Sequence, residues 1–214
     1  MKFTQWFVAA LACVAFAAPA GAAMVRVSVD TTPLMGLAGY AAFDFLAGAP
    51  STGNSAVVSA FASGSTLGAS QLSGDISGSL MPGPLLLGGG LQFFSEWLQG
   101  VSTFGNVMTF ELDFGLNAFA GGRPDQFAFF LLDASLAPFA TDDPSGASAL
   151  FYFDLTGIST SPTIFSSAFA TATIERIVVN VVPEPATPLL ALMALSVALV
   201  CSGTQRSRGR RAQG

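Results

Sequence analysis

Apolar and polar residues alternate with a period of two along much of the segment from Met24 to Val181. Val25, Val27 and Val29 alternate with Arg26, Ser28 and Asp30, which predicts a strand with one buried face. Met108, Phe110, Leu112 and Phe114 alternate with Thr109, Glu111 and Asp113 in the clearest such strand of the chain. Leu150, Tyr152 and Asp154 alternate with Phe151, Phe153 and Leu155. Further strands are predicted over Leu37–Leu46, where Tyr40, Phe43 and Phe45 surround Asp44, and over Val57–Phe61. The segment Thr171–Val182 is a Val- and Ile-containing strand that closes the domain. Phe127–Leu132 is almost continuously apolar, the pattern of a central strand covered on both faces. Leu91–Leu98 admits two readings. Phe93, Phe94, Trp97 and Leu98 form one face of a short helix, which is the preferred reading, or they belong to a bulged strand.

Turn signals separate these segments: Gly48-Ala49-Pro50-Ser51, Met81-Pro82-Gly83-Pro84, Gly88-Gly89-Gly90, Gly121-Gly122-Arg123-Pro124 and Asp142-Asp143-Pro144-Ser145-Gly146. Many short strands between Gly/Pro turns predict a mainly β domain over residues 24–181. The expected architecture is an antiparallel β-sandwich of jelly-roll-like form.

Both ends of the chain depart from this pattern. Lys2 precedes an apolar run from Phe7 to Ala18, and Ala20-Gly21-Ala22 and Gly21-Ala22-Ala23 both have small residues at the spacing that signal peptidase cleaves. Residues 1–23 therefore read as a signal peptide, handled by the secretion translocon and cut after Ala22 or Ala23. At the other end, Pro183-Glu184-Pro185 forms a stiff extended spacer, because proline fixes the backbone and lacks a donor. Leu189–Val200 is free of charge, and a transmembrane helix is expected over residues 187–203. Arg206, Arg208, Arg210 and Arg211 follow as a cationic stop that stays cytoplasmic.

These three parts, in this order over residues 182–211, resemble the PEP-CTERM sorting signal of Gram-negative bacteria that make exopolysaccharide. The resemblance implies that Pro183, Glu184 and Pro185 are recognised by an exosortase, a membrane cysteine protease-transpeptidase. It further implies a membrane-anchored precursor that is sorted to the cell surface or the extracellular matrix, in association with exopolysaccharide or biofilm. The pieces Phe129-Phe130-Leu131-Leu132-Asp133, Thr141-Asp142-Asp143-Pro144-Ser145-Gly146 and Phe165-Ser166-Ser167-Ala168-Phe169-Ala170 resemble uncharacterised proteins that carry the same tail, a family that implies no known activity.

Composition narrows the chemistry. The chain has no His, its one Lys is Lys2, and its two cysteines, Cys13 and Cys201, lie in the terminal segments. Residues 24–181 therefore lack a disulfide, an imidazole base and an amine nucleophile. This excludes Ser-His-Asp, Cys-His and Ser-Lys catalysis and the usual zinc, iron–sulfur and haem ligands. No cofactor is implied. The same segment carries Arg26, Arg123 and Arg176 against twelve acidic residues, the wrong balance for nucleic acid or anionic lipid.

Paired carboxylates remain, drawn from Glu96, Glu111, Asp113, Asp133 and Asp154. Glu111 and Asp113 share one face of a strand, about 7 Å apart by strand rise, a spacing open to an inverting glycosidase but explained more simply by alternation as the solvated face of a half-buried strand. Asp133, Asp142 and Asp143 offer hard oxygen ligands for calcium or, more simply, caps for a turn before Pro144. Trp97 and Tyr152 are the candidate aromatic platforms for carbohydrate, or else members of the core. The expectation is an exported, non-enzymatic surface or matrix protein with a structural or interaction role. A carbohydrate-binding module is the alternative, and a carboxylate-dependent glycosidase stands behind it.

Overall fold

The computed structural model describes residues 24–49, 53–117, 119, 121–156 and 160–177. The signal peptide, the Pro183-Glu184-Pro185 motif, the helix expected over residues 187–203 and Arg206, Arg208, Arg210 and Arg211 all lie outside the described residues. Among the described residues no helix is long and apolar enough to cross a membrane.

The described residues form twelve strands and one 3-10 turn at Thr32–Leu34. The strands are β1 (Val25–Asp30), β2 (Gly39–Leu46), β3 (Ser55–Ser63), β4 (Thr66–Ser73), β5 (Ile76–Gly78) and β6 (Leu85–Gly88). They continue as β7 (Phe94–Thr103), β8 (Val107–Gly115), β9 (Asp125–Asp133), β10 (Phe151–Leu155), β11 (Pro162–Ile164) and β12 (Thr171–Arg176). Two antiparallel six-stranded sheets result. Sheet A has the order β12-β1-β8-β3-β6-β5, and sheet B the order β11-β10-β9-β2-β7-β4.

Period-two alternation places the core. Val25, Val27 and Val29 of β1 and Met108, Phe110, Leu112 and Phe114 of β8 are buried on the inner face of sheet A. Phe43 and Phe45 of β2, Phe127 and Phe129 of β9, and Phe151 and Phe153 of β10 are buried on the inner face of sheet B. The two faces meet as one hydrophobic cluster. The Phe43 ring lies 5.2 Å from Phe110 in an edge-to-face contact, Phe110 lies 5.4 Å from Phe129, and Phe114 lies 4.9 Å from Phe153. Such contacts add about 1 kcal/mol each beyond the area they bury, and they offset the absence of a disulfide in this part of the chain. A buried polar junction ties the two sheets at one end: Asp125 accepts hydrogen bonds from the backbone N–H groups of Gly48 and Asn54, and Asn54 Oδ1 accepts from Asn117 N at 2.6 Å.

One expectation about local structure changes. The helix preferred for Leu91–Leu98 is absent: Phe94–Thr103 is strand β7, paired with β2 on one side and β4 on the other. Ser95, Trp97, Gln99 and Val101 stand on the same inward side and are buried, whereas Phe93 and Phe94 stay exposed. Tertiary pairing on both edges thus overrides the apparent helical face. The segment Leu85–Gly88 and the small-residue strand Thr66–Ser73 also pair into the sheets, although neither carries a strong alternation.

Candidate functional site

The outer face of sheet B is the most distinctive surface of the sandwich. Its register aligns one residue from each strand in a row: Ser73 of β4, Glu96 of β7, Asp44 of β2, Ala128 of β9, Tyr152 of β10 and Thr163 of β11. Because side chains alternate, all six share the outer face. Ala128 is short where its neighbours are long, so the row dips between Asp44 and Tyr152.

A cavity of about 480 Å³ opens over this dip. Its floor includes Ala128, and its walls include Leu46, Phe94, Phe130, Tyr152 and Phe165. The loop from Asp143 to Ala149, which leads into β10, forms one side, and Arg123 and Gln126 also line it. Tyr152 and Phe165 support each other, with ring centroids 5.7 Å apart. Gln126 is held by its amide, which donates to Asp154 Oδ1 at 3.0 Å. A second hollow, of about 280 Å³, lies further along the same face around Tyr40, Gln71 and Gly100.

Asp44 and Glu96 give the cavity its electrostatic character. They are direct cross-strand partners, an arrangement that is unfavourable when both are ionised. Burial pushes the Asp44 carboxyl up to about 7, and the Glu96 charge beside it adds to the rise. Burial also raises Glu96. Asp44 Oδ1 is buried and has no hydrogen-bond partner. An unmatched buried acceptor of this kind costs about 1–3 kcal/mol.

The loop wall is ordered by its own acid. Asp143 accepts from Ser145 N at 2.9 Å, Ser145 Oγ at 2.9 Å and Ala149 N at 3.2 Å. Burial acts to raise its carboxyl, but these hydrogen bonds outweigh burial and hold it below the usual range. Asp142 turns elsewhere and accepts from Ser166 N at 2.6 Å. Asp133 accepts from Ser135 N, Ser135 Oγ and Ala137 N, and the Ser135 hydroxyl is the largest cause of its lowered pKa. Asp133 and Asp143 thus cap their own turns, and Asp142 ties its loop to the distant Ser166. Among the described residues no three acidic, His or Cys side chains converge as metal ligands.

The other predicted positions divide sharply. Tyr152 lines the cavity. Trp97 does not reach the surface: it sits on the inner face opposite Phe43 and is 5% exposed, so its role as an exposed platform is corrected to one in the core. Glu96 neighbours the site through Asp44, and Asp154 borders it through Gln126. Glu111 and Asp113 lie on the outer face of sheet A, and neither lines the cavity on sheet B. Glu111 accepts from Arg26 at 2.7 Å. Asp44 was the residue that pattern reading passed over, although a lone acid between Phe43 and Phe45 in a central strand is itself a signal.

Compared with known families, curated proteins and solved structures, the chain matches no family model, no curated protein and no solved structure.

Proposed function

We propose that the protein is an exported surface or matrix protein whose sandwich binds glycan in the cleft of sheet B. One observation carries the reading: Tyr152 and Asp44 stand on either side of Ala128 over a cavity of about 480 Å³. An aromatic ring offers a platform for the apolar face of a sugar, and a carboxyl beside it takes the hydroxyl hydrogens. Strand order also supports a jelly-roll reading of the sandwich, with β1-β8-β3-β6 on one side and β2-β7-β4 on the other.

The test is a glycan array, including the host's own polysaccharide, with the purified full chain and its Tyr152→Ala variant. Specific binding that Tyr152→Ala reduces about tenfold supports the proposal. If no glycan is retained, or the variant binds as well as the parent, the proposal falls.

The address of the protein rests on the terminal segments. Export through the translocon, membrane anchoring and sorting by an exosortase-like transpeptidase follow from the signal-peptide pattern and the order Pro183-Glu184-Pro185, apolar run, arginines. The mass of the C-terminal peptide of the mature protein, isolated from its own host, tests this. A terminus near Pro183-Glu184-Pro185 supports sorting, and a terminus intact through Gly214 would sink it.

A second reading is favoured by one feature. A carboxyl whose pKa is raised to about 7 beside a second carboxyl is an arrangement that a general acid in glycoside hydrolysis can use. Release of new reducing ends from a bound glycan, lost in Asp44→Asn, would move the protein from binding module to hydrolase.

A further inference from the structure

Resting on the glycan reading, we infer that the cleft of sheet B selects aminated sugar, a hexosamine bearing a free ammonium, through Asp44 and Glu96. The inference begins with register. Asp44 on β2 and Glu96 on β7 are opposed across adjacent central strands, and both project from the outer face. The cation that lines the cavity, Arg123, is an exposed residue, whereas Asp44 is on the floor side of the row next to Ala128.

The other acids near the cleft are already engaged. Asp143 is capped by Ser145 and Ala149, and Asp154 accepts from Gln126. Asp44 instead keeps a buried oxygen without a partner. The Asp44 carboxyl lines the cavity, and together with the Glu96 carboxylate opposite it in register it favours a donor that also carries positive charge. An ammonium supplies both, with three N–H donors in a compact head.

Charge also decides against the neighbouring sugar classes. A uronate would bring a third carboxylate to an opposed pair, in a hollow where low dielectric strengthens the repulsion. An N-acetylated residue offers one amide N–H and no charge, so it satisfies the acceptor without relieving the pair. The Tyr152 ring across Ala128 favours a sugar over a bare polyamine or a lysine side chain, because a pyranose ring has a flat apolar face to lay on it.

The test measures binding of the full chain in detergent to glucosamine oligomers, N-acetylglucosamine oligomers and uronate oligomers of equal length, with pentalysine as the non-sugar cation. The expected result is roughly tenfold or greater preference for the glucosamine oligomers over the acetylated ones. Uronate should bind most weakly. Asp44→Asn should bring glucosamine binding down to the level of the acetylated sugar, and Glu96→Gln should shift it in the same direction. Glu111→Gln, on the opposite sheet, should leave the preference intact. Equal or tighter binding of acetylated or uronate oligomers would overturn this inference while leaving the glycan reading in place. Pentalysine binding as tightly as the aminated sugar would overturn it in favour of a cationic peptide. Failure of every oligosaccharide to bind would remove the glycan reading itself.

Discussion

On the outer face of sheet A, Arg26 of β1 stands opposite Glu111 of β8, with Glu175 of β12 on its other side. On the outer face of sheet B, Asp44 of β2 stands opposite Glu96 of β7, with Ala128 of β9 on its other side. The two faces are built from similar material: alternating strands, few charges and a shared core beneath. They differ in what each charge meets. Sheet A interleaves opposite charges along a regular half-wet surface, and burial along β8 alternates without interruption. Sheet B opposes two like charges beside a small residue and covers its centre from outside, so that Ala42 and Ala128 are buried although they face away from the core. Sheet A is arranged for a stable solvated face. Each outer face carries a buried carboxylate oxygen without a partner, Asp113 Oδ1 on sheet A and Asp44 Oδ1 on sheet B, but on sheet B the acid also opposes a like charge and lines the hollow.

The sharpest way to break this contrast is Asp44→Asn. The Asp44 carboxyl is raised from 3.8 to about 7 in the fold, so between those values the native state binds a proton that the unfolded chain has lost. Stability from this group is fully present below pH 3.8 and is lost as pH rises through about 7. The loss at pH 8.5 amounts to roughly 4 kcal/mol at most. Asn carries no charge to bury, so the variant should be more stable than the parent at pH 8.5 by up to that amount and nearly equal to it near pH 4. Urea denaturation at the two values measures both. Glu111→Gln on sheet A should show no such divergence. If Asp44→Asn destabilises equally at both values, the acid is a structural anchor and the contrast between the faces collapses.

Most of the framework was legible from alternation alone. The strands around Val27, Phe110 and Phe153 appear where period two predicts them, because their inner faces are long runs of Val, Met and Phe with no competing pattern. β7 was misread because Phe93, Phe94, Trp97 and Leu98 match a helical spacing, and only pairing with β2 and β4 shows that Trp97 points inward and Phe94 outward. The site was less legible for a related reason. Alternation along one strand tells which face a residue takes and cannot tell which residue stands beside it on the next strand. Glu111 and Asp113 are neighbours along one strand, a relation that alternation alone displays. Asp44 and Glu96 lie far apart in sequence, and the register between β2 and β7 is what makes them a pair.

A binding measurement sharpens the comparison next. Tyr152→Ala removes the platform that lines the cavity and supports Phe165, while the inner-face residues Phe151 and Phe153 stay in the core. Glycan affinity should fall about tenfold, the worth of one well-placed aromatic contact. Alanine at Thr109, on the outer face of sheet A, should leave affinity unchanged. Equal losses at the two sites would mean that the hollow is not the binding surface.

Glu96→Gln tests the like-charge pair itself. Burial is the larger cause of the raised Asp44 pKa and the Glu96 charge the smaller. Removing that charge should lower the Asp44 titration midpoint while leaving it above 3.8, since burial persists. Carboxyl-resolved NMR titration reads the midpoint directly. A midpoint that does not move would mean that the two acids are independent despite their register.

The smallest effect is expected on sheet A. Arg26 donates to Glu111 at 2.7 Å, yet the Arg26 side chain is 61% exposed and that of Glu111 is 20% exposed. Water and salt screen such a pair, and ordering a long arginine side chain offsets much of the attraction. Arg26→Ala should therefore cost about 0.5 kcal/mol or less in urea denaturation, and adding salt should erase most of that. Glu175 and Glu111 then face the vacated position from both sides, Glu175 from an exposed site and Glu111 from a partly buried one. A cost above about 1 kcal/mol would mean that this face is desolvated too. The two outer faces would then differ only in the sign of their charge pairs, and the hollow on sheet B would have to be distinguished by its shape alone.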